Sequence, residues 1–196
     1  VCRWRMSNKK VPMLNRHIRA LSERLVQGEP LTHNMLSWAK QHVEWSLAEG
    51  DYTAHDGVLM LVIDINGNAA MTVGEYEPLA DTSAKALRVR SAEARSEADE
   101  TGVAPELLAA VNDGELAFVA PADECLCGTA TLIEQLAQTK GIPVTRVDIP
   151  AQLKGALFLV SDEHGVVPAT ETDAAESDAA TVAFFADGYE RLRARR

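Results

Sequence analysis

An α/β fold built as two lobes is what this sequence predicts, and three observations lead to it. The first is a pair of apolar stripes at helical spacing, Leu14, Ile18, Leu21 and Leu25, then Leu36, Ala39, Val43 and Leu47. Residues three or four apart share one face of a helix. The second is Asn66-Gly67-Asn68 set between two apolar runs, Leu59 to Ile65 and Ala69 to Tyr76, which reads as a hairpin. The third is the order of features from Cys125 to Pro168: a Gly-Thr turn opening an apolar helix, a strand, then a strand running through a polar turn into Val166-Val167-Pro168.

Taken in order, Val1 to Met6 predicts a strand, Asn8-Lys9-Lys10 a polar turn, and Val11 to Leu14 a short return. The first helical stripe carries through Leu25 and ends at Gly28 and Pro30, a C-cap glycine followed by a breaker. Gly50 closes the second stripe, and Trp38 and Trp45 lie off it, expected to be partly buried between helix and sheet. Asn-Gly in the hairpin supplies the positive φ of a type I′ turn. Pro78 to Ser83 is a linker-like break, and Ala84 to Glu100 a charged, weakly amphipathic helix. Glu106 to Val111 and Glu115 to Val119 are short apolar segments joined by the turn Asn112-Asp113-Gly114. Leu132, Ile133, Leu136 and Ala137 mark a helix beginning near Thr129, with Gly141 at its C-cap. Val144 to Ile149 and Ala156 to Val160 read as strands, Ala169 to Asp178 as an acidic loop. Val182, Phe185, Tyr189 and Leu192 then place an apolar face on a last helix with arginines at its end.

Composition narrows the function classes. At 196 residues and 46% hydrophobic content, the chain is long enough for a real core. Acidic residues number 29 against 19 basic ones, a net charge of −10 that disfavours a nucleic-acid or anionic-membrane surface. The longest apolar run, Val58 to Ile63, stops at Asp64, too short for a bilayer. Three cysteines, Cys2, Cys125 and Cys127, point to a reducing compartment, with the cytoplasm expected, and Cys125 and Cys127 read as two buried thiols. His17, His33, His42, His55 and His164 form no H-E-x-x-H arrangement, so no metal site is expected. Neither G-x-S-x-G nor a glycine-rich nucleotide loop is present.

Placed in series, these elements resemble the class IV pyridoxal-phosphate (PLP) enzymes, which include branched-chain and D-amino-acid aminotransferases and aminodeoxychorismate lyase. Val1 to Arg5 is similar to the family's "V-F-E-x-x-R" strand, and His17-Ile18-Arg19-Ala20-Leu21 to its "H-L-x-R-L" helix. Lys85-Ala86-Leu87, with Gly102 and Glu106 following, is similar to the family's lysine, helix and "G-x-x-E-x-L-L" strand. The resemblance implies a two-domain fold divided at about 1–78 and 79–196, a homodimer, and amino-group transfer or lyase chemistry. The substrate would be an amino acid or an aminodeoxychorismate-like carboxylate. Lys85 would be the Schiff-base lysine, its proton loss assisted by Arg88 and Arg90 close by in sequence. Arg19, Gly128, Thr129, Ala130, Ser161 and Asp162 stand where the family holds the cofactor phosphate, and a helix N-terminus suits an anion.

Several positions depart from the family's pattern. Val111 runs almost directly into Asp113-Gly114-Glu115, without the "V-T-E-G-x-x-S-N" segment whose glutamate meets the pyridine nitrogen. Ala20 stands in place of a phosphate-contacting arginine, Ala130-Thr131 in place of "T-R", and Asp162 in place of a phosphate-binding threonine. A carboxylate at that last position repels a dianion. Three explanations stay open: a stretch absent near Val111 and before Val1, a tolerant enzyme, or a PLP-free homologue that kept the fold while its cofactor site eroded. The last would act as a small-carboxylate binder, a different catalyst or a partner subunit.

Overall fold

A computed structural model of the protein describes residues 1–50, 55–150, 153–171 and 173–195. The chain opens with β1 (Cys2–Met6), α1 (Leu14–Ser22), β2 (Leu25–Val26), β3 (Glu29–Pro30) and α2 (His33–Glu49). It continues through β4 (Gly57–Ile63), β5 (Ala69–Gly74), α3 (Ala84–Thr101), β6 (Leu107–Asn112) and β7 (Glu115–Val119). The remainder is α4 (Gly128–Thr139), β8 (Val144–Val147), β9 (Ala156–Ser161), β10 (Gly165–Pro168) and α5 (Glu176–Arg193).

Two main sheets organise these elements. β1, β4 and β5 form an antiparallel sheet in the order β1-β4-β5. Cys2, Trp4 and Met6 of β1 alternate inward and pack with Leu59, Leu61 and Ile63 of β4 against Leu14 and Leu21 of α1 and the stripe of α2. The second sheet runs β10-β9-β6-β7-β8 and is antiparallel except for β7 and β8, which α4 connects as a parallel pair requires. Its central strand β6 is apolar on both faces. Leu107, Ala109 and Val111 face α4 and α5, through Ala130, Ile133, Val182 and Phe185. Leu108 and Ala110 face the opposite side with Leu87 of α3. A strand covered on both sides reads as a continuous apolar run rather than an alternating one.

Most predicted elements are present, and five expectations are corrected. The first helix stops at Ser22, not beyond Leu25. Leu25 and Val26 instead pair with Pro30 and Glu29 across Gln27 and Gly28, which take φ of 54° and 83°. Trp38 and Trp45 are 42% and 65% exposed on the outer face of α2, and Trp38 stacks on His42 with ring centroids 4.8 Å apart. Cys127 is buried but Cys125 is exposed. The type I′ conformation also sits on the other hairpin. Asp113 and Gly114 take φ of 52° and 77°, whereas at the β4–β5 turn Gly67, with φ 80°, is the residue of positive φ. There the Asp64 carboxylate accepts the N–H groups of Asn66 (2.8 Å) and Asn68 (2.9 Å), shaping a longer loop. Of the predicted acidic loop, residue 172 lies outside the described residues, and α5 begins at Glu176, before the loop's expected end.

Candidate functional site

α4 begins without a side-chain cap, since Cys127 at its N-cap supplies none. A carboxylate from another strand meets its first N–H groups instead. Asp162, just beyond β9, accepts from the Thr129 N–H at 2.7 Å and from the Gly128 N–H at 3.3 Å. His17 of α1 brings Nδ1 to 3.2 Å from the second carboxylate oxygen, off the line of a good hydrogen bond, and its ring stacks on Trp4 with centroids 5.5 Å apart. All of these groups are buried. Burial alone would raise the Asp162 pKa, but His17 and the Thr129 N–H outweigh it and lower it from 3.8 to about 2. The carboxyl is therefore ionised at neutral pH. The same burial, with the Asp162 charge added, pushes the neighbouring Cys127 thiol well up.

The sequence-predicted positions are distributed unevenly around this centre. Gly128, Thr129 and Ala130 are buried in the first turn of α4, and Asp162 is bonded to two of them. Ser161 is buried at the end of β9, where its hydroxyl accepts the His164 N–H at 2.8 Å. Arg19 is exposed on α1. One turn earlier, Arg16 reaches α4, donating to Thr131 Oγ1 at 3.1 Å and to Gln135. Lys85 is exposed in the first turn of α3 and, among the described residues, has no hydrogen-bond or ion-pair partner. That turn neighbours the far end of β10, where Thr170 donates to the Thr82 carbonyl at 3.0 Å, so the length of β10 separates it from Asp162. Arg88 is committed to the Pro150 and Leu153 carbonyls, and Arg90 to both oxygens of Glu106.

A second polar cluster lies between β1, the chain after β5, the β9–β10 turn and α5. Arg5, Tyr76, Glu163, His164, Tyr189, Glu190 and Arg193 line a cleft of about 130 Å³. The Arg5 guanidinium lies on the Tyr76 ring, its carbon 3.2 Å from the centroid, and its Nε and Nη1 are buried without a partner. Stacking satisfies the face of the guanidinium and leaves its in-plane N–H groups unmatched. His164 Nδ1 is 3.4 Å from the Tyr76 hydroxyl, and Nε2 is 3.8 Å from Glu106. Burial lowers the His164 pKa against the pull of Glu106 and Glu163, so the ring is neutral at pH 7. Glu106, Glu163 and His164 bring ligand atoms within 4.8 Å of one another. Because Glu106 already accepts from Arg90 at 3.1 and 2.5 Å, this trio is an ion-paired network rather than an open metal seat.

Nothing in the sequence motifs pointed to Arg5, Tyr76 or Arg16 as site residues. The signal that could have raised Arg5 was the terminal arginine of the "V-F-E-x-x-R" strand. The glutamate that would face a pyridine nitrogen has no place here. Val111 pairs with Leu116 and Asn112 with Glu115, so the β6–β7 hairpin closes over two residues. Beside Asp162, a cavity lined also by Cys2, Trp4 and Ser161 holds about 20 Å³, room for one water molecule rather than a phosphate.

No protein-family model matches the sequence, and no curated protein matches it. Solved structures do. A hypothetical aminotransferase from Mycobacterium tuberculosis, in its apo form, is 14% identical with a TM-score of 0.63, covering 98% of this chain and 88% of its own. A branched-chain amino acid aminotransferase from Thermobaculum terrenum in its PLP form is 16% identical, with a TM-score of 0.59 and coverage of 99% and 84%. A fold IV transaminase from Curtobacterium pusillum is 17% identical, with a TM-score of 0.57 and coverage of 99% and 85%. At these identities the likeness is one of architecture, and it spans nearly every element described above: the chain has the fold of the fold type IV aminotransferases.

Proposed function

We propose that this protein uses the fold type IV scaffold to bind a small carboxylate in the cleft at Arg5, without transferring an amino group. The observation that carries this reading is the state of Arg5. Its guanidinium keeps its charge at any physiological pH, and no carboxylate within the described residues forms an ion pair with it. Arg193, the other cation of the cleft, is already held by Glu190 at 2.9 Å. Arg5 itself lines the cleft. A carboxylate arriving there would form a charge-assisted pair in partial isolation from water, where such pairs are strongest. The neutral His164 and the Tyr76 hydroxyl add polar groups of either hydrogen-bonding sense.

Transamination at Lys85, the activity that the family resemblance implies, is the less favoured reading. Lys85 is exposed at a helix start, and the length of β10 separates it from Asp162 and the start of α4. Calorimetric titration with propionate, pyruvate and succinate, and with propylamine as a cationic control, tests the proposal. The expected result is binding of at least one carboxylate, none of the amine, and a loss of about tenfold or more in Arg5→Gln. Carboxylate binding that is unchanged in Arg5→Gln, or absent from the wild type for all three, would refute it.

A further inference from the structure

We infer that the α4 N-terminus is an anion seat already filled from within the chain, and that Asp162 keeps this protein from taking up PLP. This inference is independent of what binds at Arg5. In the fold type IV aminotransferases that this chain resembles, the corresponding helix start receives the cofactor phosphate. Here the donors such a phosphate needs are spent: the Gly128 and Thr129 N–H groups both go to Asp162. A dianionic phosphate would have to displace that carboxylate or lie against it, and like charges in a buried site repel strongly. His17 closes the same space from α1. A methyl group placed on Gly128 would run into His17 Nδ1, so the ring is in contact with the helix start. The ring holds Nδ1 3.2 Å from the Asp162 carboxylate. The neighbouring cavity of about 20 Å³ leaves no second place for the phosphate.

The arrangement is a built one. Asp162 takes the position where the resemblance expects a threonine, and three groups from two segments converge on its two oxygens: the turn into α4 gives two N–H groups and α1 gives His17, while the β9–β10 turn holds the carboxylate. Thr129 Oγ1 is buried beside the carboxylate, outside good hydrogen-bonding geometry while still helping to hold its charge, so it is a donor that an incoming phosphate oxygen would use if the carboxylate were gone. The chain thus conserves the geometry of anion binding while supplying its own anion.

Wild type and Asp162→Ser are compared by thermal shift and equilibrium dialysis with three probes: PLP, pyridoxal, which lacks the phosphate, and inorganic phosphate. The wild type is expected to bind PLP no better than pyridoxal and to ignore phosphate. Asp162→Ser is expected to gain a phosphate-dependent rise in melting temperature and a preference of about tenfold or more for PLP over pyridoxal. Asp162→Asn, closer in volume, serves the same purpose if the serine variant does not fold. A wild type that prefers PLP to pyridoxal by tenfold overturns the inference whatever the variants do. A folded variant that gains no phosphate response overturns the claim that Asp162 closes the seat.

Discussion

Asp162 makes an electrostatic contribution to stability of definite sign. Its pKa is lowered from 3.8 unfolded to about 2 folded, so its stabilising contribution is fully present above pH 4 and is lost as pH falls through 2. A shift of that size is worth on the order of 2 kcal/mol. Urea unfolding measured from pH 6 down to pH 2 should show wild-type stability falling in that window, with a shallower fall in Asp162→Asn. The Glu97 carboxyl is also lowered, by its hydrogen bond to Arg3. The difference between the two proteins isolates Asp162. Legibility at this scale was partial. Position 162 stood out in the sequence as a departure from the family's pattern, yet the same reasoning saw repulsion and not occupation, because nothing in a linear pattern brings His17 to it. That Arg16 rather than Arg19 reaches α4 was not legible for a related reason: which residue of a short helix faces its neighbour depends on the helix's rotation, which spacing does not fix.

At the scale of elements, the clearest device is the tie between α5 and the β6–β7 hairpin. Asp178, buried in the first turn of α5, accepts the N–H groups of Asp113 (2.9 Å) and Gly114 (3.0 Å). These are the two turn residues of positive φ, whose main-chain donors point away from the ladder. Asp178→Ala should cost roughly 1–3 kcal/mol by leaving both without a partner, and Asp178→Asn less, as denaturant midpoints would show. The element pattern was mostly legible. The α2 stripe Leu36, Ala39, Val43 and Leu47 is the buried face that spacing predicted. The first helix was drawn too long because Leu25 keeps helical spacing to Leu21, while Gln27-Gly28 turns the chain into a two-residue hairpin instead. A Gln-Gly step is a weak turn signal, and the apolar period overrode it.

For the whole molecule, the two sheets are joined by packing of α1 against α4 and by the polar contacts around Asp162 and Arg16. Trp4 lies in β1 and Trp38 and Trp45 on α2, so tryptophan fluorescence reports mainly the first sheet's side, with Trp4 also sensing the Asp162 cavity. Far-ultraviolet circular dichroism reports both sheets. The two signals should trace one coincident thermal transition in the wild type, and separate transitions in either signal would show that the α1–α4 contact does not couple the halves. The overall architecture was readable from the order of turns and stripes, because that order survives when individual site residues change. The state of the site was not readable in the same way, since it depends on contacts more than a hundred residues apart in the chain, such as His17 with Asp162.

Residue 162 also uses its main chain. Its carbonyl accepts the Arg5 N–H at 2.8 Å. Among the described residues this is the backbone bond that fastens β1 to the β9–β10 turn, while the carboxylate of the same residue fastens that turn to α4 and α1. One amino acid thus rivets β1, α4 and α1 to a single turn, and the arginine that lines the cleft is mounted directly on it. Stacked on Tyr76, the guanidinium is already held in place, which would spare a guest of the proposed kind the entropy of arranging its own receptor.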